Sequence, residues 1–128
     1  MAAFAKAAYN RQMLSQKIRS MGYALKGLRI AYLEEHNFRF ELLLAAATVC
    51  AGWYFELTRT EWLFVVAAIG IVLMAEVFNT ALEELCDMLR QTHDPHVAKI
   101  KDLSAAGVLI AAWMALIVGL IVFSQHII

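Results

Sequence analysis

The 128-residue sequence is poor in charge and in helix breakers: Asp, Glu, Lys and Arg make up 17%, with one proline and two cysteines. With 62% hydrophobic residues and a mean hydropathy of +0.63, too little polar surface remains to coat a soluble bundle, which points to a membrane solvent. Cys50 and Cys86 sit in apolar sequence and form no disulfide or metal framework, so both are expected to be small core residues. His36, His93, His96 and His126 show neither helical ligand spacing nor neighbouring cysteines, which argues against zinc. No GxxxxGK[ST] loop and no protein-kinase signature set is present, so any nucleotide chemistry needs a different architecture. The N-terminus shows no short apolar core followed by a small-residue cleavage site, and no signal peptide is expected. Net charge is zero and nothing supports nucleic-acid binding.

What is present is long apolar sequence. "LSAAGVLIAAWMALIVGLIVF" (103–123) is uncharged over 21 residues, enough to cross a hydrocarbon core of ~30 Å. Residues 42–55 and 62–75 are shorter uncharged runs that extend through polar residues at one end. The pattern predicts an all-α membrane protein, one domain over 1–128, with spans near 38–57, 62–88 and 103–124. Six of the eleven Lys and Arg precede the first span and Arg39 stands at its start, Arg59 lies between the first and second, three lie between the second and third, and none follows the third. Positive-inside bias then places the N-terminus and the 89–101 loop in the cytoplasm.

Before the first span, Leu14, Ile18, Met21, Leu25, Leu28 and Tyr32 recur at three- and four-residue intervals, flanked by Arg11, Lys17 and Arg29. This predicts an amphipathic helix within 1–35, either lying on the cytoplasmic leaflet or packed on the bundle. "THDPH" (92–96) is expected to turn at Pro95. Gly107, Ala111, Ala115 and Gly119 recur every four residues on the third span, a spacing that lets helices approach closely in lipid.

The second span is the unusual one. "AEVFNTALEELCD" (75–87) follows an apolar run yet holds Glu76, Asn79, Glu83, Glu84 and Asp87. On a helix Glu76, Asn79, Glu83 and Asp87 share a face, and a charge exposed to hydrocarbon costs several kcal/mol. Glu84 and Asp87 read as a solvated helix end, whereas Glu76, two turns deeper than Glu83, calls for a function. At ~1.5 Å per residue the Glu76 and Glu83 backbones are roughly 10 Å apart, which suggests two roles: a deep group that handles a proton and a shallow one that reaches a cation. Carboxylates favour hard ions such as Mg²⁺, which shares its shell with phosphates and waters. Glu34, Glu35 and Glu41 enter the first span at a depth similar to Glu83. Lys101 stands at the mouth of the third span, either as a membrane anchor or to hold phosphate oxygens, and Asp102 reads as a helix N-cap. An oligomeric ion or proton pathway built around Glu76 fits the same composition, but gives no reason for Glu35, Glu83 and Lys101 to gather at one edge.

The segments "YALKGLRIAYLEEHNFRFE" (23–41), "AEVFNTALEELCD" (75–87) and "AKIKDLSAAGVLIAA" (98–112) resemble, in order and spacing, the prokaryotic diacylglycerol kinases and their relatives, the undecaprenol kinases of Gram-positive bacteria. The resemblance runs from about Arg19 to Phe123. It implies three transmembrane helices plus a surface helix per chain, a homotrimer with composite active sites, and a multi-pass protein of the bacterial cytoplasmic membrane with its N-terminus inside. It further implies transfer of the γ-phosphate of MgATP to a membrane lipid alcohol. Carried over by position, Glu76 looks like the catalytic base and Glu35 and Glu83 like the Mg²⁺ ligands. Tyr23, Asn79, Thr92, His93, Asp94, Lys101 and Asp102, with Glu35 and Glu83, fall where the family contacts ATP. Arg39, Glu41 and Glu76 fall at the lipid substrate. Gln16, Ala24 and Phe40 depart from the diacylglycerol branch, and "EHN" (35–37) and "EWLFVV" (61–66) look closer to the undecaprenol branch, although that branch favours histidine at Glu41. The expected acceptor is therefore undecaprenol, with diacylglycerol, giving phosphatidic acid, as the alternative.

Overall fold

The computed structural model describes residues 2–89 and 94–127, apart from the side chains of residues 2–5, 7 and 8. Four helices follow in order: α1 (Ala2–Glu34), α2 (His36–Tyr54), α3 (Arg59–Met88) and α4 (Pro95–Ile127), with no strand among the described residues. The all-α expectation holds. The chain divides into two compact units, one ending at Glu34 and the other beginning at Glu35.

The first unit is α1 alone. Its alanine-rich start favours helix, so the helix begins at Ala2, well before the apolar stripe that predicted it.

The second unit is built on α3, against which α2 and α4 each pack. α2 ends in a Schellman motif: the Glu56 N–H donates to the Trp53 carbonyl at 3.3 Å and the Leu57 N–H to that of Gly52 at 3.1 Å. Glu56 takes φ 53°, the left-handed conformation that favours glycine. Gly52 is needed for another reason, since a Cβ there would lie 2.8 Å from the Trp62 ring. Thr58 then starts α3 with a capping box. Its hydroxyl accepts from the Glu61 N–H, and the Glu61 carboxylate accepts from the Thr58 N–H at 2.7 Å.

α4 corrects two expectations. Pro95 does not sit in a turn that delays the helix to 103; it occupies the first helical position, where its missing N–H and fixed φ suit helix initiation. The cap is Asp94, whose Oδ1 accepts from the His96 N–H at 2.8 Å, and Asp102 lies inside the helix. The antiparallel register of α3 and α4 is pinned at both ends, by Lys101–Asp87 and by His126–Glu61, each at 3.0 Å. Between them lies a small core of Leu57, Val65 and Val122, joined by Phe55, Trp62 and Phe123.

Two helices, α3 and α4, are long and apolar enough to cross a bilayer. α2, the third expected span, is not among them, because its 19 residues include Arg39 and Glu41 in the first two turns. Cys86 is buried, but Cys50 is exposed, contrary to its assignment to the core. Of the small residues on α4 only Ala111 is buried; Gly107 and Gly119 have open space where a Cβ would be. The α4 stripe therefore does not bring two helices of this chain into close contact along its length. An apolar groove of about 760 Å³ runs over α3, lined by residues of all three helices including Glu41, Ala45, Ala68, Val72, Ala115 and Gly119.

Candidate active site

Glu76 is 2% exposed and is the only buried charged residue among those described. It lies in the second half of α3, where the Asn37 side chain at the start of α2 hydrogen-bonds it. Glu35 and Glu83 lie near enough for their charges to act on it, and its own charge acts in turn on Glu41. Four carboxylates are thus drawn from three places: Glu35 from the break before α2, Glu41 from the second turn of α2, and Glu76 and Glu83 from α3. The sequence reading placed Glu35 and Glu41 at the depth of Glu83 and gave the deeper Glu76 a separate role. Glu35 occupies the N-cap position of α2 but makes no capping bond with its side chain, so its carboxylate is not used by the helix.

Asn79 and Glu83 are linked one turn apart, with Asn79 Nδ2 donating to Glu83 Oε1 at 3.2 Å. A further turn along, Asp87 pairs with Lys101 from α4. Asp87 is therefore more than a solvated helix end, and Lys101 is drawn to the same side of α3 as Glu83. Glu84 is exposed, as expected.

Three buried polar atoms here have no partner: Glu41 Oε2, Asn79 Oδ1 and Thr80 Oγ1. Leaving such a group unmatched costs about 1–3 kcal/mol, so native proteins keep few of them. Clustered carboxylates are also unfavourable on their own. Both features fit a site completed by a ligand that brings hydrogen-bond donors and positive charge.

The donor set suits a hard cation. Among the described residues no three of His, Cys, Asp or Glu form a ready-made metal cage. Mg²⁺ does not require one, because it is commonly held by one or two carboxylates together with nucleotide phosphates and waters.

Other expected site residues are placed as follows. Arg39 is exposed on α2, and Asp102 is exposed beside Lys101 on α4. Asp94 caps α4, so one of its carboxylate oxygens is already in use. Tyr23 is exposed on α1, in the other compact unit. Thr92 and His93 lie outside the described residues. The sequence reading gave no role to Asn37, the orphaned Thr80 hydroxyl or the Asp87 partner of Lys101. Helical spacing placed Asp87 on the face of Glu83, but its pairing with Lys101 depends on how α4 packs on α3. Asn37 carried no comparable signal, since its contact depends on how α2 packs on α3.

The prokaryotic diacylglycerol kinase family matches residues 22–123, which include every part of this cluster. The chain belongs to that family. It is 31% identical over 114 residues to the undecaprenol kinase of Bacillus subtilis (strain 168), covering 89% of this chain and 93% of that protein. It is 28% identical over 109 residues to the diacylglycerol kinase of Escherichia coli (strain K12), covering 85% and 89%. A similar likeness, 28% over 103 residues, extends to the diacylglycerol kinase of Haemophilus influenzae. Membership of the diacylglycerol kinase family makes the chain a membrane lipid kinase with ATP as co-substrate. The ion-pathway alternative has no such support.

Proposed function

We propose that this kinase phosphorylates undecaprenol at the cytoplasmic surface of the membrane, with Glu76 as the base. The observation that carries the reading is the burial of Glu76 among Glu35, Glu41 and Glu83, next to polar atoms with no partner in the chain. Phosphoryl transfer asks a protein mainly for positioning and electrostatics. The lipid hydroxyl oxygen forms a bond to the γ-phosphorus of ATP, the bond from that phosphorus to the β–γ bridging oxygen breaks, and the hydroxyl proton passes to the Glu76 carboxylate. Asn37 holds that carboxylate in orientation. Asn79 positions Glu83 and offers its free Oδ1 to a donor on the substrate side. Lys101, with Asp102 beside it, faces the phosphates from α4. Tyr23, Thr92, His93 and Asp94 are assigned to ATP by the resemblance alone. Glu35 and Glu83 would hold Mg²⁺, which when bound neutralises phosphate charge. Arg39 and Glu41 flank the lipid headgroup.

The assembly we infer is a homotrimer in which α2 serves as a third span and the N-terminus is cytoplasmic. The open groove, the unfilled space at Gly107 and Gly119 and the bias of basic residues support it. A second reading, diacylglycerol as acceptor, is favoured by one residue, since Glu41 stands where the undecaprenol branch favours histidine.

The test is a competition in mixed micelles. Purified protein is given labelled ATP, Mg²⁺ and equal undecaprenol and diacylglycerol, and the labelled lipids are separated. Undecaprenyl phosphate should dominate; phosphatidic acid as the main product establishes the second reading. Labelling of neither lipid overturns both.

A further inference from the structure

α3 presents Asn79, Glu83 and Asp87 at four-residue intervals on one face, and two of the three hold another polar group in place. Asn79 Nδ2 donates to Glu83 Oε1 at 3.2 Å, and Asp87 Oδ1 accepts from Lys101 Nζ, on α4, at 3.0 Å. The Lys101 and Asp87 side chains are 32% and 51% exposed, and an ion pair this open to water adds little to stability. Its position is the informative feature: it carries a cation from α4 to the acidic face of α3, one turn beyond Glu83.

We propose that Asp87 is a positioning residue for the nucleotide, holding the Lys101 ammonium on the Glu83 side of α3 where phosphate oxygens arrive. The inference rests on the reading of Lys101 as a phosphate ligand and gives a role to a residue that itself touches no phosphate. A lysine side chain is a flexible stem, and its freedom is lost when it clamps a ligand. Pairing with Asp87 takes much of that loss before the nucleotide binds. The ammonium has three donors, so Asp87 uses one and leaves two for phosphate oxygens, and the pair need not break on binding. At ~1.5 Å per residue, Glu83 and Asp87 stand about 6 Å apart along α3, close enough for a cation at the first and the ammonium at the second to serve one polyphosphate chain. Asp87 is a poor metal ligand in its own right, because the ammonium already neutralises it.

The experiment is steady-state kinetics on the full-length protein in mixed micelles at saturating lipid. Asp87→Asn should raise the KM for ATP about two- to fivefold and leave kcat, the lipid KM and the Mg²⁺ concentration for half-maximal rate unchanged. Asp87→Glu, which keeps the charge, should recover part of the loss. Lys101→Met should raise the KM for ATP further, and Asp87→Asn added to it should have no additional effect, since nothing remains to be held. His126→Gln breaks the pair at the other end of α3 and α4 and should leave the KM for ATP unchanged, which separates the placing of Lys101 from a general loosening of the helix pair. An unchanged or lowered KM for ATP in Asp87→Asn, while Lys101→Met raises it, overturns the proposal. A shift in the Mg²⁺ dependence overturns it too, as does an equal effect of His126→Gln. If Lys101→Met itself leaves the KM for ATP unchanged, the phosphate role of Lys101 fails and this inference falls with it, a result distinct from the first.

Discussion

The two ends of α3 handle polar groups in opposite ways. At the Thr58 end, Thr58 and Glu61 cap each other, the other Glu61 oxygen meets His126 at 3.0 Å, and Phe55 packs edge-on to Phe123 at 5.9 Å between ring centres. At the Glu76 end, a buried carboxylate lies within reach of the charges of Glu35 and Glu83 and acts on Glu41, and the only buried side-chain polar atoms left unmatched among the described residues are found there. The first arrangement holds three helices together. The second lowers stability in a way that is sensible only if a ligand completes it, because proteins tolerate such conflicts mainly at functional sites.

Substitutions should separate the two ends. The largest expected effect is Glu76→Gln, which removes the proposed base and should lower lipid phosphorylation by about 10²–10⁴-fold in a labelled-ATP assay. Glu83→Gln should raise the Mg²⁺ concentration for half-maximal rate by about tenfold or more, measured by titrating the metal at fixed ATP. Turning to the other end, Gly52→Ala forces a Cβ against Trp62 and should cost about 1–3 kcal/mol of overpacking, less a helix-propensity gain of up to ~1 kcal/mol. Thr58→Ala, which breaks the capping box, should cost about 1 kcal/mol. Denaturant titration reads both, and the turnover of folded protein should be unchanged in each. The smallest effect is a gain: Glu56→Gly relieves the left-handed residue at the end of α2 and should stabilise by about 0.5–1 kcal/mol. If Thr58→Ala abolished turnover without unfolding the chain, the division between the ends would fail.

Much of the acidic end was legible in the sequence because helical spacing is a local rule. Glu76, Asn79, Glu83 and Asp87 share a face whatever the tertiary structure, and the cost of placing charge in lipid turns that face inward. Contacts set by packing were not legible: the bond from Asn37 to Glu76 and the pairing of Asp87 with Lys101 require the antiparallel register of α2 and α4 on α3. The start of α4 was misplaced for a different reason. Pro95 was read as a breaker, although proline after a capping Asp is also an initiation signal. The capping box at Thr58–Glu61 was equally visible as T-x-x-E and went unused. At Gly107 and Gly119 the spacing of small residues described a surface that this chain does not bury by itself.

The most direct test of the contrast is the thermal stability of Glu76→Gln beside the wild type, both in nanodiscs without nucleotide. If the acidic end is arranged for a ligand, neutralising its central charge relieves repulsion, and the variant melts at the same temperature or higher while losing its activity. A variant that melts well below the wild type would mean that Glu76 is a structural member of the fold, and would contradict the account.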